Sequence, residues 1–229
     1  MNYIAIIAAE DKEVLAIKEK MTDIIEEKIY NIDIYTGKIK SVNCVLAKSG
    51  VGKVNSARTT QVIIDKFNPK CVINTGSAGA LSEKLRIGDV VIGTNLIQHD
   101  FDVTAFGREK GFIPEVGKEF LSDDRLVEIC EHELETKECS FTKGTIVSGD
   151  QFISTTSEKA YLGNEFNAIC AEMEGAAIAQ VCKLSDTPCI VIRSISDQLK
   201  GEAKVDFEEF LETASKKCGE IIYSVIDKV

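Results

Sequence analysis

The stretch Cys71-Val-Ile-Asn-Thr-Gly-Ser-Ala-Gly79 decides the fold, because an apolar run of strand length leads directly into a polar turn that contains glycine. Four other short apolar runs end in the same way: residues 3–8 lead to Glu10 and Glu13, residues 145–148 to residues 149–152, residues 169–171 to residues 172–174, and residues 189–195 to Ser196 and Asp197. Each run predicts a strand. Open α/β sheets bind ligands at the carboxyl edge of their strands. We therefore expect the five polar tails to surround one crevice that carries the function.

The predicted strands alternate with helical patterns along the chain, which is typical of a layered α/β fold. Helices are expected at residues 54–67, after Ser122 as a candidate cap, after Glu174, and from residue 206 to about residue 226. Residues 99–118 contain three glycines and a proline, and they predict a long ordered loop. The chain has 229 residues, 44% of them hydrophobic, and no linker-like segment, so we expect one domain over residues 1–229.

The charge and the cysteine content of the chain argue against several classes of protein. A net charge of −10 and a pI near 4.9 disfavour a nucleic-acid or anionic-membrane partner, since phosphates attract clusters of Lys and Arg. No two of the eight cysteines are spaced as C-x-x-C, so neither a zinc site nor a redox dithiol is indicated, and reduced thiols predict a cytoplasmic location. Because no run approaches the roughly 20 apolar residues of a spanning helix, a soluble protein that is not exported is expected.

Several familiar motifs are incomplete in this chain. Residues 49–54 (SGVGKV) resemble a phosphate-binding P-loop, but Ala47 replaces its first glycine and Val54 replaces its magnesium-binding Ser or Thr. The glycines instead allow the preceding strand to turn closely past a ligand. His132 lacks the second His of the zinc-protease motif, and His99 lacks an accompanying nucleophile. Both histidines are therefore interpreted as structural or surface residues.

Carboxylates are the remaining candidates for catalysis. Cleavage of a bond between a sugar carbon and a base nitrogen passes through an oxocarbenium-like state, so an acid must neutralise the leaving base and a carboxylate must activate water. Glu13, Glu174 and Asp197 can divide these tasks. Simpler interpretations exist: Glu13 lies in a charged run typical of a solvated helix, and Asp197 can cap a turn. Of the pair Glu172 and Glu174, one is expected to face solvent, and one carboxylate can complement a helix dipole.

Five segments, in the order of the chain, carry a wider pattern. They are residues 74–79 (NTGSAG), 102–107 (DVTAFG), 147–153 (VSGDQFI), 171–174 (AEME) and 193–197 (RSISD). Glu13 after the first strand and Phe207 near the last helix complete it. Together they resemble the bacterial 5′-methylthioadenosine/S-adenosylhomocysteine nucleosidases, within the purine nucleoside phosphorylase superfamily. The resemblance implies a three-layer α/β/α fold with a central twisted mixed β-sheet, as in nucleoside phosphorylases, and no metal or organic cofactor.

The resemblance also implies catalytic roles. Asp197, with Ser196 beside it, is expected to protonate N7 of adenine and so to make the base a better leaving group. Glu13 is expected to act as the base for the attacking water, helped by Arg193 and Ser77.

A further set of residues is implied in binding the substrate. Glu174 is expected to bind the ribose hydroxyls, because a carboxylate accepts well from the two donors of a vicinal diol. The other binding residues are Glu172 and Met173 at the sugar, Phe152 and Ile153 at adenine, and Val51, Val103, Phe106, Pro114 and Phe207 around the 5′-alkylthio tail. In the family the loop with Phe106 and Pro114 comes from the partner subunit, so a homodimer is expected. For Phe152, Met173 and Phe207, packing in the core is the simpler alternative.

Three functions therefore remain open: hydrolysis of adenine nucleosides by water, phosphorolysis by a related phosphorylase, and binding without catalysis. Similar phosphorylases carry an Arg at the position of Asn74, which favours water as the nucleophile. A binding protein would not need Glu13 and Asp197 together. The substrates considered are methylthioadenosine, S-adenosylhomocysteine, 5′-deoxyadenosine and aminodeoxyfutalosine. Glu10 stands where members of the family carry a Met, and it either places a charge near the tail pocket or faces solvent.

Overall fold

The computed structural model describes residues 2–229. Its strands are β1 (Ile4–Ala8), β2 (Met21–Ile29), β3 (Ile32–Ile39), β4 (Val42–Lys48), β5 (Val72–Ala80), β6 (Val90–Gln98), β7 (Phe120–Leu121), β8 (Phe141–Ser148), β9 (Ala168–Glu172) and β10 (Cys189–Asp197). Its helices are α1 (Asp11–Lys18), α2 (Lys53–Phe67), α3 (Asp124–Thr136), α4 (Thr156–Phe166), α5 (Gly175–Leu184) and α6 (Ala203–Val225). The five predicted strands are confirmed as β1, β5, β8, β9 and β10, and the four expected helices as α2, α3, α5 and α6.

The strands form one mixed sheet. Its first part is open: β1 pairs in parallel with β4 and β5, and β3 and β2 continue outward from β4 as an antiparallel hairpin. Its second part closes on itself. Strand β5 pairs with β10, β10 with β6, β6 with β8, β8 with β9, and β9 again with β5. A ring of five strands therefore adjoins an open, twisted sheet.

Alternate residues of β1 face two different hydrophobic cores. Ile4 and Ile6 pack into a core with α1, α3 and α6, whereas Ala5 and Ile7 pack into a second core with α2 and α5. Successive side chains of a strand point to opposite faces, so a strand that is apolar throughout is expected when helices cover both faces. The sheet is thus the middle of three layers, and the expected α/β/α class with a mixed sheet is confirmed.

The five strands that carry the polar tails do not all run in the same direction, so the carboxyl-edge rule alone does not explain why the tails meet. Strands β1, β5 and β10 run one way, but β9 is antiparallel to β5, and β8 is parallel to β9. In a flat sheet the ends of β8 and β9 would lie at the opposite edge. Closure of the ring removes the difficulty, because β9 meets β5 only through the pairs Gly79–Ala171 and Ala80–Cys170, near the carboxyl ends of both strands.

Local details of the expected elements differ in two places. Asp123, and not Ser122, caps α3: the carboxylate of Asp123 accepts the backbone N–H of Leu126 at 3.0 Å, while the Ser122 hydroxyl donates to the carbonyl of Gly93 at 2.6 Å. The expected loop at residues 99–118 contains one 3₁₀ turn, Thr104–Phe106. All eight cysteines have free thiols. No helix within residues 2–229 is long and apolar enough to cross a membrane.

Close packing of α6 on α1 yields a stability prediction for Gly219. A Cβ atom at Gly219 would lie 2.7 Å from the backbone carbonyl oxygen of Ala16, so the helices would have to separate. Gly219→Ala should lower the free energy of unfolding, because overpacking costs about 1–3 kcal/mol and exceeds the gain of up to about 1 kcal/mol in helix propensity. Urea unfolding measures the difference, with Glu220→Ala at the neighbouring exposed position as control. A Gly219→Ala protein at least as stable as the wild type would contradict the packing argument.

Candidate active site

A cavity of about 200 Å³ opens where the five polar tails converge. Twelve of the residues predicted for the site line it: Glu13, Val51, Ser77, Phe152, Ile153, Glu172, Met173, Glu174, Arg193, Ser196, Asp197 and Phe207. Residues from β5, β9 and β10 form its inner wall, and the segments after β1, β4 and β8 form the rest. The structure therefore brings together residues up to 194 positions apart in the sequence, from Glu13 to Phe207.

Glu13 is fixed in the cavity by backbone donors. The solvated-helix interpretation is wrong for this residue, because its exposed fraction is 5%. One carboxylate oxygen accepts the N–H groups of Ala9 and Glu10, both at 3.0 Å, and the other accepts the N–H of Ser77 at 2.9 Å and its hydroxyl at 3.2 Å. A Cβ atom at Gly76 would lie 2.6 Å from this second oxygen, so glycine is required there for the close approach.

Glu172 and Arg193 form a buried ion pair behind the cavity. Nη2 of Arg193 also donates to Oδ1 of Asn74 at 2.6 Å, and Asn74 donates to the carbonyl of Ile7 at 3.0 Å. Burial alone would lower the pKa of Arg193, but the charges of Glu172 and Glu174 raise it above its ordinary value. Arg193 is therefore a permanent cation, and its position is determined by three neighbouring strands.

Both carboxylates that flank Met173 are buried, so the expectation that one of them faces solvent is wrong. Glu172 accepts the N–H groups of Glu174 and Gly175 at 3.0 and 2.7 Å, and thereby satisfies the start of α5. It also accepts a hydrogen bond from the hydroxyl of Ser148. With its oxygens occupied in this way, Glu172 holds Arg193 and the helix, while Glu174 is the carboxylate available to a ligand.

Glu174 shares its environment with the turn after β4. Its carboxylate accepts the N–H of Gly52 at 2.8 Å, and Gly52 has a φ of +99°, in the region that favours glycine. The glycine-containing turn at residues 49–54 thus brings the backbone N–H of Gly52 to a residue that lines the cavity, as expected. Burial and then the charge of Glu172 raise the pKa of Glu174 to about 8, against the opposing charge of Arg193. With this pKa the group is mostly protonated at neutral pH, and a protonated carboxyl group can both donate to and accept from a diol.

Asp197 lines the same cavity as Glu13 and lies against Gly79 of β5, whereas Glu13 lies against Gly76. Its side chain is buried, with Oδ1 accepting the hydroxyl of Ser196 at 2.9 Å and Oδ2 accepting Nζ of Lys159 at 2.5 Å. A Cβ atom at Gly79 would lie 2.8 Å from Oδ2, so the carboxylate rests directly on the backbone of β5. The turn-capping interpretation of Asp197 is wrong, because its carboxylate accepts from the side chains of Ser196 and Lys159 and from no backbone N–H among the described residues.

Lys159 is a site residue that the sequence analysis missed. It lies on α4 and shares the buried face of that helix with Leu162 and Phe166, three and seven residues further on. The signal in the sequence is therefore a lysine placed within an apolar helical stripe that follows the tail at residues 149–153.

Two aromatic rings stand at the mouth of the cavity. Phe152 and Phe207 contact each other edge to face, with ring centroids 5.6 Å apart and planes inclined by 70°. Phe152 is 47% exposed and Val51 is 42% exposed, which does not fit core packing for Phe152. Met173 and Phe207 are partly buried and also line the cavity. These side chains offer an apolar rim to a ligand with a flat base or an apolar tail.

Three predicted tail-pocket residues, Val103, Phe106 and Pro114, do not line the cavity of this chain. They belong to the loop of residues 99–118, and Phe106 is 84% exposed. Glu10, by contrast, does line the cavity, next to Glu13. Burial, then the charge of Glu13, raises the pKa of Glu10, against the charge of Lys48.

Known proteins resemble this chain over nearly its whole length. The family model of the phosphorylase superfamily matches residues 3–227 of this chain. The 5′-methylthioadenosine/S-adenosylhomocysteine nucleosidase of Staphylococcus haemolyticus is 44% identical over 224 residues, which cover 97% of this chain and 98% of that protein. Among solved structures, the nucleosidase of the same name from Neisseria meningitidis, in complex with methylthio-immucillin-A, is 38% identical with a TM-score of 0.96 and covers all of both chains. The futalosine hydrolase of Helicobacter pylori is 33% identical, with a TM-score of 0.96 over 100% of this chain and 98% of that one.

These matches extend over nearly the whole chain and include the segments from which the resemblance was first drawn. The resemblance is thereby confirmed. This chain belongs to the family of 5′-methylthioadenosine/S-adenosylhomocysteine nucleosidases, which are N-glycosyl hydrolases of the phosphorylase superfamily.

Proposed function

We propose that the protein hydrolyses the N-glycosidic bonds of 5′-methylthioadenosine and S-adenosylhomocysteine, releasing adenine and the thioribose sugar. The observation that carries the proposal is the placement of two buried carboxylates in one cavity. Asp197 ends β10, Glu13 follows β1, and β5 lies between these two strands. A nucleoside that lies across the end of β5 presents its base to Asp197 and the far side of its sugar to Glu13.

The base is placed at Asp197. A proton delivered from this carboxyl group to N7 neutralises the charge that develops on adenine as the glycosidic bond breaks. Ser196 holds Oδ1, and Oδ2, which accepts from Lys159, is the oxygen that we assign to N7. The exposed ring of Phe152 stacks on the adenine, and the backbone near Ile153 reads its edge.

The attacking water is placed at Glu13. Three of the four donors to this carboxylate are backbone N–H groups, and the fourth is the hydroxyl of Ser77 at 3.2 Å. The hydroxyl is the longest of these contacts and can rotate, so a water molecule can take its place and lose a proton to Oε1. Glu174 binds the ribose diol, with Met173 against the sugar.

Water is favoured over phosphate as the nucleophile because the cationic side chains of the cavity are already paired with carboxylates. Among the described residues that line it, the cationic side chains are Lys159 and Arg193, and each is already paired with a carboxylate. Asn74, at the position where phosphorylases carry an Arg, is occupied by Ile7 and Arg193. Binding a phosphate dianion requires cationic donors that are free to reach it.

A homodimer completes the proposal at the tail of the substrate. Val51 and Phe207 line the open end of the cavity, and we assign Val103, Phe106 and Pro114 to the cavity of the partner subunit. An aromatic ring that is 84% exposed on an ordered loop fits a surface that a second copy covers.

The function is tested by assaying release of adenine in phosphate-free buffer. Purified protein should convert methylthioadenosine and S-adenosylhomocysteine completely into adenine and free thioribose sugar, and millimolar phosphate should not accelerate the reaction. A strict requirement for phosphate, with a sugar 1-phosphate as product, would identify a phosphorylase instead. Binding without turnover would identify a nucleoside-binding protein. The same assay with 5′-deoxyadenosine and aminodeoxyfutalosine defines the breadth of substrates, which the likeness to a futalosine hydrolase makes relevant.

The two catalytic assignments are tested by amide substitutions. Asp197→Asn removes the proton donor and Glu13→Gln removes the base, so each should lower kcat at least about 100-fold while the urea midpoint shows that the protein is folded. Glu10→Gln is the matched control, because Glu10 lies in the same cavity and has no proposed part in the chemistry. Near-normal turnover of Asp197→Asn would exclude its role at the leaving group.

The shared cavity is tested through Phe106. Light scattering at micromolar concentration should show a dimer, and Phe106→Ser should raise KM for methylthioadenosine because the tail loses an apolar wall. Tyr30→Ser is the control, since Tyr30 is 74% exposed and lies between β2 and β3, far from that loop in sequence. A fully active monomer would contradict both the dimer and the contribution of Phe106.

A further inference from the structure

Lys159 carries a charge into a part of the protein that is almost closed to solvent. The exposed fractions of the Lys159 and Asp197 side chains are 2% and 4%. Nζ of Lys159 donates to Oδ2 of Asp197 and to the carbonyl oxygen of Gln198, both at 2.5 Å. A buried ammonium costs several kcal/mol unless it is paired and hydrogen-bonded, so these two acceptors account for its presence on the apolar face of α4.

The same contact occupies the oxygen that the reaction needs. Oδ1 of Asp197 accepts a hydrogen bond from the Ser196 hydroxyl, and Oδ2 accepts one from Lys159. For Asp197 to present a proton to a purine nitrogen, one of these donors has to leave. Ser196 is the adjacent residue on β10, and its hydroxyl lies 3.3 Å from the carbonyl of Ala78 within the ring of strands. Lys159 reaches Asp197 through a long side chain from α4, and it can keep its second acceptor, Gln198, while it releases the first.

Resting on the proposed function, we propose that Lys159 is a positioning residue that pairs with Asp197 before the purine binds and withdraws when the purine binds. Withdrawal of the ammonium leaves Oδ2 facing the base without its counter-ion. One proton is then taken up from water onto Oδ2, and it passes to N7 as the bond between the sugar and the base breaks. Asp197 returns to a carboxylate and Lys159 returns to it after adenine leaves. The acid is therefore available only when a base occupies its place.

The charged groups that face Asp197 come from several elements of the fold. Lys159 faces it from α4, and the Cys170 thiol of β9 is close enough to interact with it electrostatically. The other charged groups of the cavity are Glu10, Glu13, Glu172, Glu174 and Arg193. Of these, Arg193 is paired with Glu172, so Lys159 is the cation in direct contact with Asp197. Its removal would leave Asp197 without a cation in contact.

A substitution that removes the charge but keeps the length tests the proposal. In Lys159→Met the alkaline limb of the kcat/KM profile should move to higher pH by about one unit or more, because an opposite charge in contact is lost. KM should fall, since the purine no longer displaces a cation, whereas kcat at the pH optimum should change by less than about 10-fold, the smaller end of general-acid effects. Lys159→Arg should retain the wild-type profile. In the Asp197→Asn background, Lys159→Met should produce no further shift. The role of Lys159 would be overturned if Lys159→Met changed neither the alkaline limb of the profile nor KM. It would also be overturned if Lys159→Met still shifted the profile in the Asp197→Asn background.

A second measurement uses the wild-type protein and needs no variant. Calorimetric titration with adenine at pH 8, in two buffers with different ionisation enthalpies, should show uptake of about one proton per adenine bound, as linkage requires when binding stabilises a protonated group. Binding of adenine without proton uptake would overturn the proposal. Failure of the proposed function gives a different result, because the protein would then release no adenine from either nucleoside. Adenine release with neither proton uptake nor a shifted profile rejects the role of Lys159 alone.

Discussion

The buried ion pair between Arg193 and Glu172 is the contact on which the rest of the site depends. Arg193 comes from β10 and Glu172 ends β9, and Asn74 of β5 accepts from the same guanidinium. Glu172 also accepts two N–H groups at the start of α5. Loss of one partner from such a pair costs about 3–5 kcal/mol, because the other charge stays buried without compensation. The pair thus ties together the strands whose closure forms the cavity.

The two carboxylates to which we assign the catalysis are held by different kinds of donor, and the difference suits the proposed tasks. Glu13 is surrounded mainly by backbone N–H groups of β5 and of the turn after β1, which cannot move without moving the sheet. A base that must orient a small water molecule benefits from such rigidity. Asp197 is held by the side chains of Ser196 and Lys159, which can change rotamer. An acid that has to exchange partners during each turnover benefits from donors of that kind.

Much of the site could be predicted because its residues lie directly after apolar strands. Glu13, Ser77, Glu174 and Asp197 follow runs whose burial is evident from composition, and all four line the cavity. Lys159 could not be found in this way, since it lies on a helix and not directly after a strand, and lysines on helices usually face solvent. Its one local signal is the apolar stripe that it shares with Leu162 and Phe166. The burial of both Glu172 and Glu174 was missed for a related reason: it depends on Arg193, which is 21 and 19 residues away in the chain.

The sequence by itself determined the α/β class, the five strands β1, β5, β8, β9 and β10 and their polar tails, because the alternation of apolar runs and helical patterns is a local property that burial imposes on each element. The direction of β8 and β9, the closure of five strands into a ring and the contact of α4 with β10 were decided only by the tertiary structure. These features depend on pairings between segments far apart in the chain, and no local pattern records which partner a strand or a charged side chain will meet. Hydrophobicity places a residue inside the protein, whereas the neighbours it finds there are set by the packing of the whole chain.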